Sequence, residues 1–233
     1  MTSISRRTTA AAFGAAMVAA AALLFAFAMH AHAQGNGNGN AHMQMQHTDP
    51  LTRTEASVEF RDQMRKLWED HITWTRLAII SLAADSPDTT PTVQRLLDNQ
   101  VDIGNAIKPY YGDAAGSQLT SLLHDHIVIA AELITDAKAG DTAAFADAQT
   151  RWYDNANQIA QFLHDANPKN ISLADMQAMM KTHLDLTLEE ASDRLQRNFP
   201  GDIAAYDQVH NEILGMSDTI ALGIIEQFPN SFR

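Results

Sequence analysis

A segment repeats along this chain, and the repeat decides what the chain can fold into. Leu67-Trp68-Glu69-Asp70-His71 aligns with Leu122-Leu123-His124-Asp125-His126, and both align more loosely with Met179-Met180-Lys181-Thr182-His183. A second motif follows the first. Arg95-Leu96-Leu97-Asp98-Asn99 matches Arg151-Trp152-Tyr153-Asp154-Asn155, and Val209-His210-Asn211-Glu212 is a degraded third copy. The histidines are spaced by 55 and 57 residues. A fixed period of this size marks a supersecondary unit that buries its apolar face only against its neighbours.

Each unit reads as helical. On a wheel of about 100° per residue, Phe60, Met64, Leu67, Trp68, Trp74, Ala78 and Leu82 share one face, and Asp70, Lys66, Thr73 and Arg76 lie off it. No segment alternates as a strand does. After the N-terminal region the prolines fall at breaks: Pro87, Pro91, Pro109, Pro168, Pro200 and Pro229. Thr90-Pro91 reads as an N-cap followed by proline at the first helical position. Gly140-Asp141 reads as a stop and a new cap, and Ser172 to Asp175 as a capping box with Asp in place of Glu. These signals predict an all-α, up-down bundle of six helices, over 54–84, 91–108, 114–138, 142–165, 172–197 and 201–227. Paired in order, they make three α-hairpins. The expected core includes Trp68, Trp74, Leu77 to Leu82, Leu123, Leu133, Trp152, Ile159, Met180, Met216 and Ile220.

The repeated histidines stand where core leucines are expected. His71 is central on its apolar face. His126 lies among Leu119, Leu122, Leu123, Ala130 and Leu133, and His183 among Met176, Met179, Met180, Leu186 and Thr187. They fall on the first, third and fifth expected helices, which run parallel in an up-down bundle. Imidazoles converging inside a bundle can hold a metal ion, and histidine with carboxylate suits zinc, iron, copper or nickel, of which copper or zinc is expected here. Glu190, two turns beyond His183, is a possible carboxylate ligand, and Arg194 is placed to pair with it. Ligating nitrogens from different helices must approach within roughly 3–4 Å of one another, given zinc–imidazole bonds of about 2.0–2.1 Å. Affinity should fall below about pH 6.5, where an ordinary imidazole takes a proton. The alternatives are a structural or interaction bundle, with core histidines bonded to carbonyls or to Thr75, Thr187 and Gln100, and a binder of small organic ligands.

The polar residues of the second motif divide on the wheel. Asp98, Asp154 and Asn211, with Asn105, Gln161 and Asp218, lie opposite the apolar faces and read as a solvated surface. Asn99 and Asn155 sit at the boundary. Gln100 points into the apolar face and needs a buried partner.

Met1–Ala33 has the parts of an export signal: Arg6-Arg7, the uncharged apolar run Ala10–Met29, and Ala31-His32-Ala33 before Gln34. Cleavage after Ala33 is expected, and with it a periplasmic or secreted location. A membrane anchor needs roughly 20 apolar residues and is the competing reading of the same run. The arginine pair after Ser5 is that of a twin-arginine signal, without the usual phenylalanine two residues on. Residues 34–53, rich in Gly and Asn, read as a flexible tail. The tail carries His42-Met43-Gln44-Met45-Gln46-His47, whose thioethers and imidazoles suit copper. The bundle domain is expected over 54–233.

Without the two leader arginines the chain keeps 14 basic against 28 acidic side chains, a net charge of −14. That balance argues against nucleic acid and anionic lipid as partners and is compatible with cations; no protein partner is indicated. There is no cysteine, so disulfides and thiolate ligands are excluded. No phosphate-cradling Gly-rich loop or serine nucleophile elbow is present, no spacing selects a triad, and a non-catalytic protein is expected.

Leu67-Trp68-Glu69-Asp70-His71-Ile72-Thr73-Trp74-Thr75-Arg76, the run from Ile129-Ala130-Ala131-Glu132-Leu133 through Ala139-Gly140-Asp141, and Gly223-Ile224-Ile225-Glu226-Gln227-Phe228-Pro229 resemble a family of helical bundle proteins of spore-forming and soil bacteria. The likeness covers about Arg65 to Pro229. It implies the helical fold and brings no catalytic residues with it.

Overall fold

The computed structural model describes residues 50–233. The leader, and His42, Met43, Met45 and His47 with it, lie outside the described residues. Regular structure within them is entirely helical. Five α-helical elements follow one another: α1 (Glu55–Ala84), α2 (Thr89–Ala139), α3 (Thr142–Ala166), α4 (Leu173–Leu195) and α5 (Phe199–Gln227). Short 3-10 turns, Pro50–Arg53 and Pro229–Phe232, flank them. No helix among the described residues is long and apolar enough to cross a membrane.

Side chains fix the ends as their chemistry dictates. Thr54, Asp141 and Ser172 accept the backbone N–H three residues on, from Ser57, Ala144 and Asp175. Gly140 closes α2 in the left-handed conformation that glycine adopts without strain. Asp85, at φ 50°, does the same for α1. The start expected at Thr90-Pro91 lies slightly earlier, with Asp88 as cap and Pro91 inside the first turn.

The helices expected at 91–108 and 114–138 form the one element α2. Its backbone is helical except at Gly112, where φ is 84° and ψ 169°. That region is essentially restricted to glycine. Pro109, which lacks an N–H to donate, lies just before it. The element doubles back at this point. Thr120 Oγ1 donates to the Gln100 carbonyl at 3.4 Å, although a straight helix would hold residues twenty apart at a distance of about 30 Å. Gly104 and Gly116 are small where the two arms meet. A methyl on Gly104 would collide with Thr120 Oγ1 and come within 2.6 Å of the Gly116 carbonyl oxygen.

Neighbouring elements pack in chain order, α1 on α2, α2 on α3, α3 on α4 and α4 on α5, and α5 returns to α1. The ring so formed encloses one core drawn from every element, with Met64, Trp68, Ile103, Leu133, Trp152, Ile159, Leu184 and Met216 among its buried side chains. A smaller cluster of Ala78, Leu96 and Ile127 is packed by Trp74, Val93 and Leu97. Leu77, expected in the core, is 39% exposed. Trp74 is only half-buried, under the guanidinium of Arg95.

Residues 50–53, counted with the tail in the sequence, belong to the fold. Leu51 packs on the core, and its carbonyl accepts from Ser57 Oγ at 2.6 Å. Thr54 Oγ1 donates to the Phe232 carbonyl at 2.6 Å, joining the two ends. The rings of Phe60, Tyr110, Phe228 and Phe232 pack beside this link, at the bend of α2.

Candidate site: a buried row of imidazoles

His71, His126 and His183 are 2%, 3% and 3% exposed. Their rings meet in the core. Those of His71 and His183 are 5.9 Å apart between centroids, and those of His126 and His183 are 6.3 Å apart with their planes inclined by 28°. Indoles close both ends, Trp68 against His71 at 5.7 Å and Trp152 against His126 at 5.2 Å. The row reads Trp68, His71, His183, His126, Trp152, with His183 central.

Carbonyls of the three histidines also follow the repeat. Thr75 Oγ1 donates to that of His71, and Thr187 Oγ1 to that of His183, each at 2.8 Å. Trp152 Nε1 donates to that of His126 at 3.1 Å. Thr75 and Thr187 therefore bond to the backbone of the histidines and leave the rings to other partners.

Those partners come from the second motif. Asn99 and Asn155, expected at the edge of the apolar face, are buried. Asn99 Nδ2 donates to the Leu67 carbonyl and Asn155 Nδ2 to the Leu122 carbonyl, both at 3.0 Å. Each acceptor lies four residues before its histidine. With the Asn155 amide nitrogen so used, Asn155 Oδ1 faces His126 Nδ1 at 2.9 Å. The histidine must be the donor, and its Nε2 then carries the lone pair. In the third copy Glu212 takes the asparagine position, with Oε2 3.3 Å from His183 Nδ1. Gln100 Nε2 donates to the Leu96 carbonyl at 2.7 Å and to Asn99 Oδ1 at 3.2 Å, which meets the need read from its place on the helix.

Polar capacity is left over. His71 Nδ1, His183 Nδ1, Trp68 Nε1, Gln100 Oε1 and both oxygens of Glu212 are buried without a hydrogen-bond partner of good geometry. Such groups are few in native cores, and each asks for a cause. Burial also sets the charge state. It depresses the His126 pKa to about 3, His183 adding to the shift and the bond to Asn155 opposing it. His71 is held well below the ordinary imidazole value by burial and by His183 and His126, and the nearby Gln100 side chain opposes the shift. Both rings are neutral at pH 7, as ligands must be.

Glu190 is directed elsewhere. Its Oε1 accepts from Arg76 Nη1 at 2.7 Å, and the same nitrogen reaches Asp202 Oδ1 at 2.8 Å. Arg194, expected on Glu190, bonds to Asp202 Oδ2 at 3.2 Å. The Arg76 guanidinium lies over the Tyr206 ring at 4.6 Å. This cluster ties α1, α4 and α5 together. Burial raises the Glu190 pKa to about 7, against the pull of Arg76.

Asp98, Asp154, Asn211, Asn105 and Gln161 are exposed as read, whereas Asp218 is half-buried and paired with Arg61 and Arg65. Among the described residues no three His, Cys, Asp or Glu side chains are grouped closely enough to hold a metal ion as they stand. A cavity of about 390 Å³, lined by Phe60, Gln63, Leu67, Asp102, Asn105, Ala106, Pro109 and Tyr110, includes none of the histidines. Comparison with protein-family models, with curated proteins and with solved structures finds no match.

Proposed function

We propose that this is an exported helical-bundle protein that binds one transition-metal ion, copper or zinc, through His71, His126 and His183. The observation that carries the reading is the outer layer around the rings. Metal-ligating histidines hold their second nitrogen on a carboxylate, carbonyl or amide oxygen, which fixes the tautomer and orients the ring. Asn155 stands in that relation to His126, and Glu212 lies beside His183 Nδ1. Imidazoles sharing a tetrahedral zinc have centroids about 5 Å apart, from metal–nitrogen bonds of about 2.0–2.1 Å. The adjacent pairs, His71 with His183 and His183 with His126, would each draw in by about 1 Å on binding, and His71 and His126 would converge across His183, consistent with the rings not forming a closed ligand group beforehand.

The outer helices and their histidines descend, in this reading, from one ancestral hairpin repeated three times, with the arms of α2 on either side of Gly112 counted separately. Export follows from the leader. Mass spectrometry of the native N-terminus should find Gln34 first, and a chain starting at Met1 in the membrane fraction would make it an anchored protein.

A second reading is a ligand-free polar core. It is favoured because among the described residues no three His, Asp or Glu side chains stand grouped for a metal ion. Elemental analysis of untagged protein from its own host separates the two. Metal binding requires about one equivalent of a single metal, lost on His126→Ala, with a second substitution at His183 adding little. Metal-free protein, with the single substitutions destabilising it additively, leaves the ligand-free core as the correct reading.

A further inference from the structure

The three copies of the second motif differ at one position with a chemical consequence. Asn99 and Asn155 each donate an amide hydrogen to a carbonyl four residues before the histidine. Glu212 stands at the same place and, being a carboxylate, has no hydrogen to give to the counterpart carbonyl of Met179. The third repeat has lost this tie between helices and gained a negative charge. The Glu212 side chain is 11% exposed, and His183 lies within ion-pair distance of it. Neither of its oxygens has a hydrogen-bond partner of good geometry. Among the described residues it is the one carboxylate within 4 Å of a core histidine. A structural role alone would favour asparagine, which makes the tie in the other two copies. A buried, weakly satisfied carboxylate is costly unless a positive charge comes to it.

We propose that Glu212 is the counter-charge of the core site: it positions His183 with the hydrogen on Nδ1 and makes the three-histidine cluster favour a divalent over a monovalent cation. This rests on the metal-binding reading. Three neutral imidazoles bring no charge of their own, so an entering ion keeps its full charge in a dry core. Coulomb attraction to Glu212 is proportional to that charge. The free energy Glu212 contributes is therefore twice as large for Zn²⁺ as for Cu⁺ at the same place, and its loss should appear as a squared factor in affinity.

Glu212→Asn tests this, because it restores the residue of the other two repeats. The amide oxygen can still face His183 as Asn155 faces His126, so the fold and the tautomer stay and only the charge goes. The full chain is used, with His42, Met43, Met45 and His47 changed to alanine so that the tail does not contribute. Competition titrations should show Zn²⁺ affinity falling about 10–100-fold, the usual range for an outer-layer group, and Cu⁺ affinity falling by about the square root of that factor. Nitrogen NMR of the metal-free protein should find His183 with Nδ1–H in both forms. Equal losses for the two ions, or none, overturn the proposal while leaving the metal reading intact. Failure of the parent to bind either ion in a His183-dependent way overturns both. Should Glu212→Asn not fold, Glu212→Gln removes the same charge and is read in the same way.

Discussion

His126 shows how burial, the largest of several causes, sets the chemistry of a residue. An imidazole in water takes a proton near pH 6.5, and here the value is depressed to about 3. His71 is depressed for the same leading cause. As pH falls below 6.5 the unfolded chain takes up protons that the folded chain refuses, so the stability from these two groups is complete above 6.5 and lost below it. For His126 this costs about 1.4 kcal/mol per pH unit between 6.5 and about 3, and His71 acts in the same direction. Glu190 acts with the opposite sign. Its folded pKa of about 7 exceeds the carboxylate norm of 4.5, so folding binds a proton there and gains stability as pH falls from 7 to 4.5. Between about pH 4.5 and 6.5 Glu190 offsets His126, and His71 leaves a net loss of stability as pH falls. Urea unfolding of the metal-free protein should show it, and His126→Gln should flatten the profile. An unchanged slope in the variant would mean that His126 is protonated in the fold.

The site was partly legible at this scale. The histidines could be read because an ionisable residue recurring at the centre of three apolar faces stands out against the pattern around it. Asn99, Asn155 and Glu212 escaped a reading by wheel, since a residue at the edge of a helix face can turn inward or outward. Their signal lay in the alignment, which puts Asn99, Asn155 and Glu212 in one column. The pairing of Arg76 with Glu190 and Asp202 joins residues more than a hundred positions apart, and no local pattern encodes it.

At the scale of the element, α2 departs most from expectation. Pro109 signals a break, and the break is present, but it is compressed into the single non-helical residue Gly112. The arms can then approach only because Gly104 and Gly116 carry no side chains. Gly104→Ala should destabilise the fold by about 1–3 kcal/mol, the usual cost of overpacking. Gly215 sits in α5 with open space where a methyl would stand, nothing lying within 4 Å, so Gly215→Ala should gain up to about 1 kcal/mol from helix propensity. Chemical denaturation of both variants checks the contrast, and a tolerated Gly104→Ala would mean that the arms do not meet there. Caps chosen by short polar side chains were readable at Asp141 and Ser172 because the chemistry that makes them is local.

For the whole molecule, closure of the ring is the dominant feature. α5 returns to α1, and Phe232, 1% exposed, packs its ring on Phe60 while its carbonyl accepts from Thr54. Removing residues 229–233 should therefore cost about 3–5 kcal/mol, the range for losing a buried phenylalanine, although the segment is only a short 3-10 turn at the terminus. Thermal unfolding checks this, and a loss under 1 kcal/mol would show that the ring holds without its clasp. In chain order Phe232 follows every described helix. The nascent chain thus carries all five described helices before it owns the residue that fastens α5 to α1. The indole and imidazole row likewise lacks one of its walls until Glu212 and the rest of α5 have been made.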